Sequence, residues 1–152
     1  MKDPDAEMFV INHDGVSVIA DEIKKMVAAG EIDVLVIDEL AVYRNNSDRT
    51  ILMRKLAEPF KWVWGMTGTP IPHEPTDVWN QCTIVTPTTI PKYFGWFRDS
   101  VMTRVITDKG NQKWVPKPDA EKRAFEVMQP AVRYKLDDIR RAARDGLPDD
   151  GY

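Results

Sequence analysis

The sequence has little cysteine and no long apolar run, and each shortage excludes a class of protein. Cys82 is the only cysteine in 152 residues, which excludes a disulfide framework and a cysteine zinc site. We therefore expect a reducing, cytoplasmic compartment. No apolar run approaches the roughly 20 residues that cross a bilayer, so we expect no membrane partner. The first residues, Met1 to Asp5, lack the apolar segment of a signal peptide.

An excess of charge of one sign is also lacking. The chain has 21 Lys and Arg against 24 Asp and Glu, a formal net charge of -3. This balance is not typical of a nucleic-acid-binding protein, although it leaves room for a local basic patch. Hydrophobic residues make up 43% of the chain, which is a globular composition. We expect one domain over residues 1–148 and a short tail at 149–152.

What the sequence does have is a run of four aliphatic residues that leads directly into two acids. Val34–Ile37 is typical of a strand buried on both faces of a parallel sheet. Asp38 and Glu39 follow at its carboxyl end, where open α/β sheets place their ligands. Two acids there suit a magnesium ion and an attacking water. The alternative is that they form only a polar exit from the strand or the first turn of a helix.

The residues before this run predict a βαβ unit. Met8–Ile11 is a short apolar run that predicts a first strand. Helical spacing of apolar residues begins at Val16, with Asp14 as the predicted cap, and Gly30 ends the helix. Strand, helix and strand in this order predict a parallel pair with a right-handed crossover.

A further strand is predicted over Phe60–Met66, after a helix that Ser47 caps and Pro59 ends. It leads into Thr67-Gly68-Thr69-Pro70, which cannot continue a strand. Because neighbouring parallel strands end at the same edge of a sheet, we expect this loop to open beside Asp38-Glu39.

The second half of the chain predicts helices and one β-hairpin. The first expected elements are a short helix capped by Thr76, an extended segment over Thr83–Thr89 and a helix over Pro91–Met102. A hairpin turning at Asp108–Asn111 follows. After it we expect a helix that Asp119 caps and Pro130 interrupts, and a last helix from Val132 with Arg140, Arg141 and Arg144 exposed. The aromatic group Tyr93, Phe94, Trp96 and Phe97 is interpreted as core, with base stacking as the alternative.

The acidic motif and the Thr-Gly-Thr-Pro motif lie about thirty residues apart, each after a predicted strand. This pairing resembles the second and third signature motifs of superfamily-two helicases, especially the Swi/Snf-type DNA translocases and their bacteriophage members. The resemblance runs from about Met8 to Pro148. It includes Asn12-His13, Tyr43-Arg44-Asn45 and the helix carrying Asp77, Trp79 and Gln81. It implies a partial RecA-like domain of the P-loop NTPase type, with a mainly parallel sheet flanked by helices and a small hairpin.

The resemblance also implies roles for these residues in ATP hydrolysis. Asp38 would hold Mg²⁺ through water, and Glu39 would orient or deprotonate the attacking water. Thr67-Gly68-Thr69-Pro70 would couple the nucleotide state to DNA contacts; the alternative is that the threonines only satisfy the backbone of their own loop. Weaker candidates for contacts with DNA are Asn12, His13 and Arg44.

One part of the family pattern is missing. The sequence has no Gly-x-x-x-x-Gly-Lys-[Ser/Thr] loop, which the family needs to cradle phosphates; Asp108-Lys109-Gly110 lies in the predicted hairpin. The second motor domain, which supplies an arginine to the transition state, is absent too. The chain thus resembles the second half of a first motor domain.

We therefore expect a fragment of an ATP-dependent DNA helicase or translocase that does not hydrolyse ATP alone. Its expected partners are DNA, a separately encoded amino-terminal half with the phosphate loop, and a second copy of itself. A phage-encoded chain would act in the cytoplasm of a bacterial host. The alternatives are a non-catalytic DNA- or protein-binding module and, less favoured, a metal-dependent nuclease or phosphatase.

Overall fold

The computed structural model describes residues 8–134, which form a mixed α/β structure with a small parallel sheet and a separate antiparallel hairpin. Its helices are α1 (Val16–Ala28), α2 (Asp48–Ala57), α3 (Val78–Val85), α4 (Phe94–Val101) and α5 (Ala120–Val127). Its strands are β1 (Val34–Ile37), β2 (Trp62–Gly65), β3 (Met102–Ile106) and β4 (Gln112–Pro116). Two 3₁₀ turns, Leu40–Tyr43 and Pro75–Asp77, precede α2 and α3.

The predicted parallel pairing of the two central strands is confirmed. β1 and β2 pair in register from Val34 opposite Trp62 to Ile37 opposite Gly65. One face of this pair packs on a core to which α1, α2, α3 and the first 3₁₀ turn contribute. The buried residues of that core include Ile23, Ile37, Leu40, Tyr43, Leu56 and Ile84.

The prediction that Val34–Ile37 is buried on both faces is wrong. Ile37 is 3% exposed, whereas Val34 and Val36 are 44% and 49% exposed. The paired residues Trp62 and Trp64 are 54% and 58% exposed on the same side of the sheet. Each strand alternates because successive side chains point to opposite faces, and only one face is covered within residues 8–134.

The predicted strand at Met8–Ile11 is also wrong. These four residues have no strand partner among residues 8–134, and all four are at least 40% exposed. A strand needs a neighbour for its backbone groups, and an apolar run alone does not supply one. The crossover from a preceding strand is therefore not present in the part of the chain that the structure describes.

Helix ends follow the sequence at some positions and not at others. Ser47 caps α2 as predicted, because its hydroxyl accepts the Thr50 N–H at 3.3 Å. Asp14 does not cap α1; Gly15 occupies that position, and the Asp14 carboxylate pairs with Arg49 instead. Asp119 stands at the start of α5, but its carboxylate accepts from the Arg123 side chain and not from the backbone.

The short helix α3 starts from a different cap than predicted. Glu74 and Asp77 form a reciprocal capping box around the second 3₁₀ turn, so Thr76 is not the cap. The prediction of an extended segment over Thr83–Thr89 is wrong for its first three residues, because α3 continues to Val85. The predicted helix over Pro91–Met102 is shorter in the structure: α4 covers Phe94–Val101, with Tyr93 extended before it and Met102 already in β3.

The second core joins α3, α4, α5 and the hairpin. Its buried residues include Val78, Cys82, Phe97, Val101, Met102 and Ala124. The hairpin is confirmed, with β3 antiparallel to β4. The interpretation of the aromatic group as core holds for Phe97 only, because Tyr93, Phe94 and Trp96 are 53%, 42% and 65% exposed.

The end of α5 precedes the predicted interruption. α5 ends at Val127, three positions before Pro130, so the proline does not kink a helix. No helix begins at Val132 within the described residues, and the rest of the expected last helix, with its three arginines, lies outside them. None of the helices between residues 8 and 134 is long and apolar enough to cross a membrane.

Candidate functional site

The segments that follow β1 and β2 meet at the carboxyl end of the parallel pair. The Met66 N–H donates to the Ile37 carbonyl at 2.8 Å, and the Leu40 N–H donates to the Met66 carbonyl at 2.7 Å. These bonds extend the ladder past the strands and fix both loops. The expectation that the two motifs open at one edge of the sheet is confirmed.

Glu39 and Thr67 contact each other directly. The Thr67 hydroxyl donates to Glu39 Oε1 at 2.7 Å. The same hydroxyl oxygen accepts the Thr69 N–H at 3.2 Å, which leaves its hydrogen free to point at the carboxylate. Both bonds lie at the exposed surface, so the second oxygen of Glu39 remains accessible to water.

The backbone of Glu39 is in the left-handed region, with φ 47° and ψ 57°. It is the one residue other than glycine with a positive φ among residues 8–134. This conformation costs a residue with a Cβ roughly 1–2 kcal/mol relative to the right-handed region. It turns the chain sharply between β1 and the 3₁₀ turn, and it places the carboxylate over the Thr67 loop.

Asp38 lies next to this turn and is exposed. Its Oδ1 accepts the N–H of Glu39 at 2.9 Å, which holds the carboxylate beside the loop. Mg²⁺ is commonly bound by one or two carboxylates together with waters and substrate phosphates. No group of three or more His, Cys, Asp or Glu residues within the described range is placed to hold a metal. Asp38 thus offers one exposed carboxylate at the end of β1, without a cluster of further ligands around it in the described range.

Gln81, which was noted above only as part of the family resemblance, anchors the Thr-Gly-Thr-Pro loop to α3. The buried Gln81 side chain donates through Nε2 to the Pro70 carbonyl at 2.8 Å and to the Asp77 carbonyl at 2.9 Å. Its Oε1 is buried and has no hydrogen-bond partner among residues 8–134. Gln81 is thus a positioning residue for the loop. A polar residue on the apolar face of a predicted helix is the signal that could have found it.

Gly65 is a second residue that sequence reasoning did not single out. A Cβ on Gly65 would lie 2.5 Å from Leu40 Cδ2 and 3.0 Å from Val85 Cγ1. Leu40 follows the acidic motif, so the absence of a side chain at Gly65 lets the two loops approach. At Gly68 a Cβ would meet nothing within 4 Å, so packing does not require glycine there.

The three DNA-side candidates all have intramolecular contacts. His13 Nδ1 lies 2.8 Å from the Tyr43 hydroxyl, which brings the loop before α1 next to Arg44. Asn12 Oδ1 accepts the Gly15 N–H at 2.7 Å, and Arg44 Nη1 donates to the Ala41 carbonyl at 3.3 Å. The structure thus brings these residues into one region, but away from any direct contact with Glu39.

A cleft of about 260 Å³ lies in that region. His13, Tyr43 and the Asp14–Arg49 ion pair line it, together with residues of α1 and α2. Burial raises the pKa of Tyr43 above its usual range, and this outweighs the opposite effect of Arg49. The phenol is therefore neutral and able to hold the ring of His13.

Comparison of the chain with protein-family models, with curated proteins and with solved structures finds no match.

Proposed function

We propose that the chain is a fragment of an ATP-dependent DNA translocase or helicase, the carboxyl-terminal half of its first RecA-like motor domain. The observation that carries the proposal is the hydrogen bond between Thr67 and Glu39 at the carboxyl end of a parallel strand pair. Acids and a hydroxyl loop at adjacent parallel strand ends are suited to nucleotide chemistry.

In this proposal each site residue has a distinct task. Glu39 accepts a proton from, or orients, the water that attacks the terminal phosphate, and its left-handed backbone keeps it at the rim of the sheet. Thr67 holds the carboxylate by its hydroxyl, so a movement of the Thr67 loop changes the position of Glu39. Asp38 would hold Mg²⁺ through water, and the ion would supply positive charge to neutralise the phosphates.

The phosphate loop, which these 152 residues lack, is in this proposal supplied by an amino-terminal motor half. Without backbone amides and a lysine for the phosphates, Asp38 and Glu39 have no fixed nucleotide to act on. The apolar sheet face supports the same conclusion. Val34, Val36, Trp62 and Trp64 are half-exposed on one side of a parallel sheet, and such sheets are normally covered on both faces. An amino-terminal motor half would cover this face and add strands to the sheet.

ATPase assays on the full chain, with Mg²⁺ and with or without DNA, test the proposal. We expect no turnover above background for the chain alone and DNA-stimulated turnover once an amino-terminal half with the phosphate loop and the arginine-bearing second motor domain are both added. Glu39→Gln should abolish that turnover without preventing association of the halves at micromolar concentration. Turnover by the chain alone that Glu39→Gln removes would contradict the need for a second half. Failure of the halves to associate would contradict the proposal that an amino-terminal half is the partner of this chain. If the chain associates only with itself, the apolar face is instead the contact surface for a second copy.

A further inference from the structure

The segment that contains α3, α4 and the β3–β4 hairpin has an excess of basic over acidic residues. Residues 78–118 contain two acids, Asp99 and Asp108, against six basic residues. The basic residues are Lys92, Arg98, Arg104, Lys109, Lys113 and Lys117. Residues 8–77 have the opposite balance, with eleven acids and seven basic residues. The net charge of -3 therefore conceals a basic hairpin region beside an acidic parallel-sheet region.

Three of these basic residues lie on the hairpin itself and are exposed. Arg104 is on β3, Lys113 is on β4, and Lys109 is in the turn between them. None of the three pairs with a carboxylate within residues 8–134. The free positive charges are thus spread along both strands and the tip, where a partner can reach them.

The base of the hairpin is held rigid by an aromatic contact. The Arg98 guanidinium lies 3.9 Å from the centroid of the Trp114 ring, and Asp99 Oδ1 accepts from Arg98 at 2.9 Å. Arg104 is the cross-strand neighbour of Trp114, so it shares that face of the hairpin. Lys117 donates to the Asp99 carbonyl at 2.6 Å and closes the same end. These contacts fix the arm on which the three free cations stand.

We propose that the β3–β4 hairpin binds the phosphate backbone of DNA through Arg104, Lys109 and Lys113. A two-stranded ribbon has the width that a DNA groove accepts. Arg104 and Lys113 point to opposite faces of the ribbon and Lys109 lies at its tip, so a hairpin that enters a groove tip first presents a cation to the phosphates on each side. Phosphate contacts carry no base information, so binding is independent of sequence. The choice of DNA as the polyanion rests on the proposed function, whereas the surface rests on its charge and exposure. It differs from the Asn12, His13 and Arg44 region.

Fluorescence anisotropy with labelled 30-nucleotide single-stranded and duplex DNA of mixed sequence tests this surface in the full chain. The test variant is Arg104→Gln/Lys109→Gln/Lys113→Gln. The control, Lys24→Gln/Lys25→Gln/Lys55→Gln, changes the net charge equally but lies on α1 and α2. Far-UV circular dichroism and the urea midpoint should be unchanged in both, because the altered side chains are exposed.

We expect the hairpin variant to bind DNA at least about tenfold more weakly at low salt and to lose roughly two to three units of the salt slope, against little change for the control. The single-stranded and duplex arms show which form the hairpin prefers. Absence of DNA binding by the unmodified chain, or equal losses in both variants, would overturn the proposal. Competition by polyglutamate as effective as that by DNA would also overturn it and assign the surface to an acidic protein.

The outcome is separable from that of the proposed function. If the reconstituted halves hydrolyse ATP and the hairpin variant keeps full DNA stimulation, only the hairpin inference fails. If no reconstitution is obtained but DNA binding depends on the hairpin, only the motor proposal fails.

Discussion

The Thr67 hydroxyl donates a 2.7 Å hydrogen bond to the Glu39 carboxylate, although the two residues are 28 positions apart. Parallel pairing of β1 with β2 makes this contact possible, because both strands end at the same edge. The contact is completed by the left-handed backbone at Glu39, which is energetically unfavourable for glutamate. Strain of this kind is maintained where the surrounding structure imposes it, as at functional sites.

Because the backbone of Glu39 is left-handed, glycine should be more stable than alanine at this position, the reverse of their order in a helix. Glu39→Gly and Glu39→Ala both remove the carboxylate, but only alanine keeps a Cβ in the left-handed region. We expect the glycine variant to have a free energy of unfolding about 1 kcal/mol higher than the alanine variant. Urea unfolding followed by circular dichroism measures the difference.

The matched pair for this comparison is Lys24→Gly and Lys24→Ala in the middle of α1. There glycine should be less stable than alanine by about 1 kcal/mol, since helix propensity is the main difference. The sign of the glycine effect should thus be opposite at the two positions. The same sign at both would show that Glu39 is not strained.

One feature of this site could be predicted from the sequence and two could not. The meeting of the acidic motif with the Thr67 loop follows from two consecutive strands with a helix between them. The backbone conformation of Glu39 has no sequence signal, because no glycine or asparagine marks it. Nor could the bond from Gln81 to Pro70 be read from the chain, since it depends on how α3 packs.

The errors in the fold have a common physical origin. Val34–Ile37 contains four apolar residues in succession, so its sequence does not distinguish a covered face from a bare one. Met8–Ile11 has the composition of a strand, but pairing is a property of two segments and not of one. Ser47 was predicted correctly because capping is local, whereas Asp14 was not because Arg49 competes for its carboxylate.

The anchoring role of Gln81 gives a second prediction. Gln81→Met keeps the volume of the side chain but leaves the Pro70 carbonyl without its donor. We expect a loss of about 1–3 kcal/mol in the free energy of unfolding. Faster hydrogen exchange of the Thr69 amide should accompany it, because the loop is no longer held to α3. The control Gln112→Met alters an exposed glutamine and should change stability by less than about 0.5 kcal/mol. Equal effects at the two positions would contradict the role.

The buried thiol predicts a pH effect on stability. Cys82 is 2% exposed, and burial raises its pKa above the ordinary value of a cysteine. The folded state therefore holds the thiol proton more tightly than the unfolded state. The contribution of Cys82 to stability is complete below the unfolded pKa of about 8.5 and is lost as the pH rises towards the folded value. Urea titrations between about pH 7.5 and 9.5 should show a decrease that is smaller in Cys82→Ala. An identical pH dependence in both proteins would exclude the thiol as its source.

The exposed sheet face predicts that association can be weakened without unfolding the chain. Trp62→Thr/Trp64→Thr replaces two half-exposed side chains by a residue that favours strands, so stability should change much less than with Ile37→Ala. The buried Ile37 change should cost about 2–5 kcal/mol. Binding of the amino-terminal half and any self-association, measured by analytical ultracentrifugation, should both fall sharply in the double variant.

The control Trp96→Thr removes a tryptophan that is 65% exposed on α4 and should leave association unchanged. If the Trp96 variant associates as poorly as the double variant, the sheet face is not the interface.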